Sequence, residues 1–368
     1  MNARNAGLPV VTGLGAVSSL GLGAAAHTGL ERRDWCFPDP EAVLAACAAD
    51  PGKHAAPRGL PESFAIGDYV RAVGLRRKQR FSRLAMAAAV DAHARAGFPE
   101  RPGDPARIGI VASTEYGPQR VVQDYLRGLL DGGLSRASPG LFTQTVYNVA
   151  NGQASIALGL KGANSTLVGG SALAYGASLI RSGRADAILA MSLEETNDIV
   201  VERLRRTVPE PLLPFRVDEA AAVLVLETEA SARARGVRPL ARLLGLGLGS
   251  VDSGGLEYTD WPRRPEPFLR VMRAALAEAG VEADRIDLAV SAANGIEAPT
   301  LGELEALRGL GHRGAVACPR LLAGECFGGD EALALVLALS NGPPGGLVLV
   351  TSTTGSGSLC CAVLRRTA

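Results

Sequence analysis

Thiols and imidazoles are the side chains of this 368-residue sequence best suited to nucleophilic, acid–base or metal chemistry, and it holds six cysteines and four histidines. Cys36, Cys47, Cys318, Cys326, Cys360 and Cys361 form no CxxC pair, so they spell neither a zinc site nor a disulfide framework. His27, His54, His93 and His312 are not at metal-ligand spacing from one another, and no metal is expected. Cys326 adjoins Glu325 and precedes a small-residue helix. A helix N-terminus activates a thiol, although a lone cysteine is more often a small buried hydrophobe. Ser171 follows Gly169-Gly170 at a tight strand-to-helix turn, and a serine hydroxyl becomes a nucleophile only beside a base. Asn294-Gly295 is a common turn dipeptide.

The composition narrows the class. Lys+Arg total 38 against 37 Asp+Glu, a net charge of +1, which speaks against nucleic acid as a partner. With 47% hydrophobic and 20% charged residues, the sequence can bury a large core and is not a disordered chain. It shows no signal-type apolar region near its start and no apolar run of about 18 residues, so a cytoplasmic location is expected.

Any reactive groups must be positioned by alternating strands and helices. Apolar runs bounded by turn residues predict strands at Leu8 to Thr12, Arg107 to Ala112, Ser165 to Val168, Ala187 to Met191 and Ala220 to Glu227. The first is expected to end in a turn at Gly13-Leu14-Gly15. The series restarts with Leu240 to Leu246, Asp287 to Ser291, Ala315 to Cys318, Gly346 to Thr351 and Leu359 to Leu364. Helical periodicity marks Phe81 to Ala96, Ala172 to Arg181, Pro267 to Gly280, Leu301 to Leu310 and Gly329 to Leu339. This alternation predicts an α/β fold with a mainly parallel sheet, built from a duplicated unit with halves at 1–230 and 231–368. The Pro-rich segment Phe37 to Gly74 is expected to be an irregular surface excursion and a candidate lid.

Several stretches, in order along nearly the whole chain, resemble the β-ketoacyl synthases, condensing enzymes of the thiolase fold. They are Val10-Val11-Thr12-Gly13-Leu14-Gly15-Ala16-Val17, Arg80-Phe81-Ser82-Arg83-Leu84-Ala85, Asn151 to Asn164, Leu179 to Asp186, and Pro214-Phe215 with Ala220 to Glu227. The resemblance implies two βαβαβαββ halves in a five-layer αβαβα arrangement. It also implies a dimer, in which the strand near Ser165 to Val168 pairs across the two-fold axis, and it calls for no cofactor.

Condensation in that family uses a cysteine at a helix N-terminus and two histidines. Here the matching positions carry Ser171, Asn294 and Glu325, and the family lysine corresponds to Arg320. Such a profile resembles the chain length factors of type II polyketide synthases. Those partner subunits lack the nucleophile, pair with an active ketosynthase and help shape the tunnel for a polyketide or polyene chain. The resemblance then places Tyr116, Gln119, Val122 and Tyr125 as tunnel or partner-facing candidates. An acyl carrier protein bearing the phosphopantetheine-bound chain is the further partner, and Arg76, Arg77, Lys78 and Arg80 form a basic run that could receive it. The alternative is an acyltransferase of the same fold using Ser171 or Cys326.

Overall fold

The computed structural model describes residues 7, 9–49, 57–60, 78–99, 104–208, 211–252, 258 and 261–367. Its strands are β1 (Val10–Ser18), β2 (Gly21–Leu22), β3 (Cys36–Phe37), β4 (Ile108–Thr114), β5 (Asn164–Val168), β6 (Ala187–Glu194), β7 (Ala220–Glu227), β8 (Ala241–Ser250), β9 (Leu288–Val290), β10 (Ala315–Ala317), β11 (Leu347–Thr353) and β12 (Ser358–Arg366). The helices are α1 (Gly23–Ala26), α2 (Pro40–Ala49), α3 (Arg80–Arg95), α4 (Gln119–Gly132), α5 (Pro139–Phe142), α6 (Val149–Leu158), α7 (Ala172–Arg181), α8 (Asp198–Thr207), α9 (Glu229–Ala234), α10 (Glu266–Ala279), α11 (Glu297–Gly309), α12 (Pro319–Ala323) and α13 (Asp330–Asn341). Among the described residues, no helix is long and apolar enough to cross a membrane.

The strand order is β3-β10-β9-β11-β12-β8-β1-β7-β6-β4-β5, with β2 on β1. One pattern occurs twice. In the first half β4 pairs in parallel with β5 and β6, while β7 runs antiparallel to β6 and β1. In the second half β9 pairs in parallel with β10 and β11, while β12 runs antiparallel to β11 and β8. The halves meet where Val10 and Val11 of β1 face Arg242 and Ala241 of β8. At one outer edge β3 covers β10; β5 ends the order at the other.

Side-chain alternation sorts these strands into layers. On β6, Ile188 and Ala190 face the central core with α7 and α13, while Ala187, Leu189 and Met191 face the outer core with α3 and α6. On β11, Val348 and Val350 face the centre, while Leu347 and Leu349 join α10 and α11 on the opposite outer side. The two half-sheets and the helices between and outside them make the five-layer α/β arrangement of the thiolase-like fold.

Three expectations change. The sheet is mixed rather than mainly parallel: among the described residues four strand pairs are parallel and seven antiparallel, because β7 and β12 return antiparallel to their neighbours and join the halves through β1 and β8. The Gly13-Leu14-Gly15 stretch is no turn, because β1 continues through it to Ser18. Its glycines let α3 lie against the strand: a Cβ at Gly15 would stand 2.2 Å from the Ala88 carbonyl oxygen. The Pro-rich excursion is also partly ordered as α2, whose Val43 and Cys47 are buried in the second outer core. Pro40 suits a first helical turn, and Asp39 Oδ1 accepts the Ala42 N–H at 2.9 Å. The rest of that excursion, apart from residues 57–60, lies outside the described residues.

Candidate functional site

Asn294 follows β9 in the turn leading to α11. Its Oδ1 accepts the Ile296 N–H at 3.0 Å, the local bond that makes Asn a turn residue. Gly295 at φ 91° completes the turn, because any Cβ there would meet the backbone of Leu213. The turn aims the Asn294 amide inward, and Nδ2 donates to Glu325 Oε2 at 2.8 Å.

Glu325 lies between α12 and α13, bridged to Val217. Its Oε1 accepts the Tyr258 hydroxyl at 3.2 Å and the Phe327 N–H at 3.1 Å. The Arg320 guanidinium reaches Glu325 at 3.1 Å and Asp330 at 3.0 Å. It also donates to the Ala292 carbonyl at 2.7 Å and the Thr353 carbonyl at 2.9 Å. Burial opposes the Arg320 charge, but Asp330, Glu325, Tyr258 and Glu303 outweigh it and hold its pKa well above normal. Burial pushes the Asp330 carboxyl well up, against the pull of Arg320 and with the added repulsion of Glu325. Arg320 thus meets two buried carboxyl groups, Glu325 and Asp330, and its charge is answered inside the cluster. Asn294 does not titrate near neutral pH, and both Glu325 oxygens are engaged, so the cluster offers no vacant base.

Ser171 stands apart from this network. It caps α7, its Oγ accepting the Ala174 N–H at 3.0 Å. Glu331, from the first turn of α13, reaches the same helix end, where Oε2 accepts the Leu173 N–H at 3.2 Å. The dipole that would favour a thiolate here already faces an internal carboxyl. Burial raises the Glu331 pKa, against hydrogen bonds that include the Ser171 hydroxyl. Ser171 and Glu331 line a cavity of about 440 Å³ together with Phe327, Gly328, Thr353 and Cys360. Asn294, Glu325 and Cys326 are not among its walls.

Cys326 has no exposure, and burial drives its thiol pKa well up, with Asp330, Asp218 and Glu325 adding to the effect. Its surroundings are those of a buried hydrophobe rather than a reactive thiol. Cys360, which the sequence did not single out as reactive, is the cysteine that reaches the cavity. Only the strand pairing that sets β12 beside β8 and β11 brings it there.

None of Tyr116, Gln119, Val122 and Tyr125 lines this cavity. Tyr116 packs edge-on against Phe327 with ring centres 5.0 Å apart, so it backs one wall. Gln119 Nε2 donates to the Tyr116 carbonyl at 2.6 Å, Val122 is half-buried, and Tyr125 tilts against Phe142 at 5.7 Å. The expected basic run is not a uniform outward face. Arg80 turns to Glu219, with Nε donating to Oε2 at 2.8 Å, and Lys78 is half-buried. Arg76 and Arg77 lie outside the described residues.

A family model for the β-ketoacyl synthase N-terminal domain matches residues 48–205. Nodulation protein E of Rhizobium sp. (strain N33) is 30% identical over 290 residues, covering 72% of this chain and 71% of that protein. The 3-oxoacyl-[acyl-carrier-protein] synthase 2 of Staphylococcus aureus is 28% identical over 274 residues, covering 68% of this chain and 66% of the synthase. Among solved structures, the ishigamide ketosynthase/chain length factor superposes with a TM-score of 0.80 at 22% identity, covering 98% of this chain and 99% of that one. That likeness establishes the fold.

Proposed function

The chain belongs to the β-ketoacyl synthase family, and from that premise we propose that it is a non-catalytic ketosynthase-like subunit, a chain length factor. In this reading it pairs with an active ketosynthase and shapes the tunnel in which an acyl-carrier-protein-bound polyketide or polyene chain grows. The observation that carries the reading is the Asn294–Glu325–Arg320 cluster. At the two positions where the resemblance expects histidines, an amide and a carboxylate bind each other at 2.8 Å, and the carboxylate is ion-paired with Arg320. Two imidazoles that could polarise a thioester and steady an enolate are replaced by a self-satisfied structural network.

The surface from α4 to β5 supports a partner. Leu130 is 82% exposed, Leu134 86% and Ile156 82%, and Val168 stands 59% exposed on the edge strand. Apolar side chains so exposed, next to an open strand edge, are what a paired subunit would cover. The name of the fold neighbour, a ketosynthase/chain length factor, and that of the Staphylococcus relative, a 3-oxoacyl-[acyl-carrier-protein] synthase, agree in kind with these two partners.

The alternative, acyl transfer by Ser171, draws on its place in the cavity wall. Its hydroxyl caps a helix by accepting the Ala174 N–H, and the neighbouring Glu331 carboxyl is itself engaged with the Leu173 N–H. Native mass spectrometry of the protein purified gently from its host separates the two. A mixed dimer with a ketosynthase-like chain is expected; a homodimer carrying an acyl adduct on Ser171 would overturn the subunit reading.

A further inference from the structure

We propose that a second cavity, at the start of β4 and β6, binds a small uncharged molecule bearing a carboxamide-type group, with a carbonyl oxygen and an N–H side by side. The cavity holds about 210 Å³, and Phe98, Pro99, Asp104, Arg107, Ser231 and Arg235 are among the described residues lining it. That volume lies below the range of drug-sized ligand sites, so the molecule is small. The place is distinct from the cavity at α7, which takes in Ser113 and Thr114 at the far end of β4, whereas this one takes in Ile108 at its beginning. The strand from Ile108 to Thr114 spans about 20 Å.

Both arginines are already answered by carboxylates. Arg107 lays Nε and Nη2 on Asp186 at 3.2 and 2.7 Å, and Nη2 also donates to the Gly183 carbonyl at 2.9 Å. Arg235 lays Nε and Nη2 on Glu227 at 2.9 and 2.8 Å, and Nη2 also donates to the Ala96 carbonyl at 3.0 Å. The Arg235 guanidinium stands 3.8 Å over the Phe98 ring, which also stacks on His93 with ring centres 5.2 Å apart. This wall is therefore preformed. Arg107 is the more exposed of the two arginines, and its Nη1 makes no hydrogen bond among the described residues, so it is the donor a ligand can reach.

Asp104 supplies the acceptor. Its Oδ1 takes the Ala106 N–H at 3.1 Å, while Oδ2 has no partner among the described residues. One 3₁₀ turn holds it beside Arg107, whose N–H bonds the Asp104 carbonyl at 3.2 Å. With Asp186 and Glu227 matched to the arginines, Asp104 is the charge left over. An anion would meet that carboxylate, and a cation would meet two guanidinium groups. An uncharged molecule meets neither repulsion and loses less hydration on entry. A carboxamide satisfies both free groups: its carbonyl accepts from Arg107 Nη1, its N–H donates to Asp104 Oδ2, and a flat apolar remainder lies against Phe98 and Pro99.

The test is a fluorine NMR titration of 4-fluorobenzamide with the full chain, with 4-fluorobenzoate and 4-fluorobenzylamine at pH 7.5 as charged comparisons. Asp104→Ser keeps a capping oxygen for the turn and removes Oδ2. Arg107→Lys keeps a cation opposite Asp186 and removes Nη1. Saturable binding of the amide is expected, at least fivefold weaker in each variant, with each charged probe at least fivefold weaker than the amide. Absence of saturable amide binding, unchanged affinity in either folded variant, or a charged probe equal to the amide would overturn the proposal. Thermal unfolding shows whether Arg107→Lys is folded; if it is not, Asp104→Ser decides. None of these results depends on finding a ketosynthase partner.

Discussion

Asn294 Nδ2 donates to Glu325 Oε2 at 2.8 Å, 31 residues away in sequence and fully inside the protein. Each of the two stands where the family resemblance expects a histidine, and each satisfies the other. The first prediction follows from the third member. Arg320 is 4% exposed at its side chain and shares its charge between Glu325 and Asp330. Glu325→Ala removes one carboxylate and leaves Tyr258, Asn294 and part of Arg320 unpaired. Breaking a buried pair costs about 3–5 kcal/mol. Urea unfolding of Glu325→Ala should show a loss of that size; a change within about 0.5 kcal/mol, the usual range for surface substitutions, would mean that the network is not structural.

The duplicated architecture carries the second prediction. A Cβ at Gly15 would meet the Ala88 carbonyl oxygen at 2.2 Å, and one at Gly247 would meet the Val271 carbonyl oxygen at 1.9 Å. The first glycine lets β1 approach α3, and the second lets β8 approach α10. Overpacking of this kind costs about 1–3 kcal/mol or more. Gly15→Ala and Gly247→Ala should each lower the thermal midpoint, whereas an alanine in place of Gly152, which has open space around it, should not.

These glycines also mark what the sequence could tell. All ten principal strands stand where apolar runs predict them, because a doubly covered strand is apolar on both faces, as Ala220–Glu227 is. Gly13 and Gly15 mislead, since a glycine required by a neighbouring helix looks in sequence like one required by a turn. Helices α2, α4 and α6 escaped notice: α2 is apolar around most of its surface, α6 buries the polar Asn151 and Ser155 along with its apolar residues, and α4 buries only Val121. Asn294, Glu325 and Arg320 were found by their motifs. Tyr258, Asp330, Glu331 and Cys360 were not, because they join the two clusters only through long-range packing.

Glu194 gives the stability of the protein a pH dependence. It is fully buried beneath the loop after β4 and accepts N–H groups from Glu115, Tyr116 and Gly117. Burial is the largest influence on its pKa, which is pushed up from 4.5 to about 8. The folded state therefore keeps a proton that the unfolded chain releases. Stability from this group is present below about pH 4.5 and lost as pH climbs to about 8. Glu303, raised to about 7, acts in the same direction. Denaturation from pH 5 to 8 should show falling stability, and Glu194→Gln should flatten that slope. An unchanged slope in the variant would remove Glu194 as its source.

The exposed side chains of the α4-to-β5 segment give an assembly prediction. Leu134 and Ile156 are 86% and 82% exposed, so aspartate at either position disturbs no core packing. Leu134→Asp and Ile156→Asp should leave the thermal midpoint of the isolated chain within a few degrees and weaken subunit association at least tenfold. Size-exclusion chromatography of the co-expressed complex reads this directly. Unaltered association in both variants would place the interface elsewhere.

Ser171→Ala separates structure from catalysis at the position where the family resemblance expects the nucleophile. The Ser171 hydroxyl accepts the Ala174 N–H at 3.0 Å, an N-cap whose loss costs about 1 kcal/mol. A helix cap and an acyl-bearing nucleophile predict opposite patterns. Loss of the cap lowers the unfolding midpoint slightly and leaves pathway product abundant once the partner ketosynthase and carrier protein are supplied. Loss of a nucleophile abolishes product and leaves stability nearly untouched. The subunit reading expects the first pattern, because α7 begins against the Glu331 carboxyl, and neither the Asn294 amide nor the ion-paired Glu325 provides a base for a serine. Product that disappears from a well-folded Ser171→Ala complex would make Ser171 the nucleophile and return the chain to the catalytic members of its family.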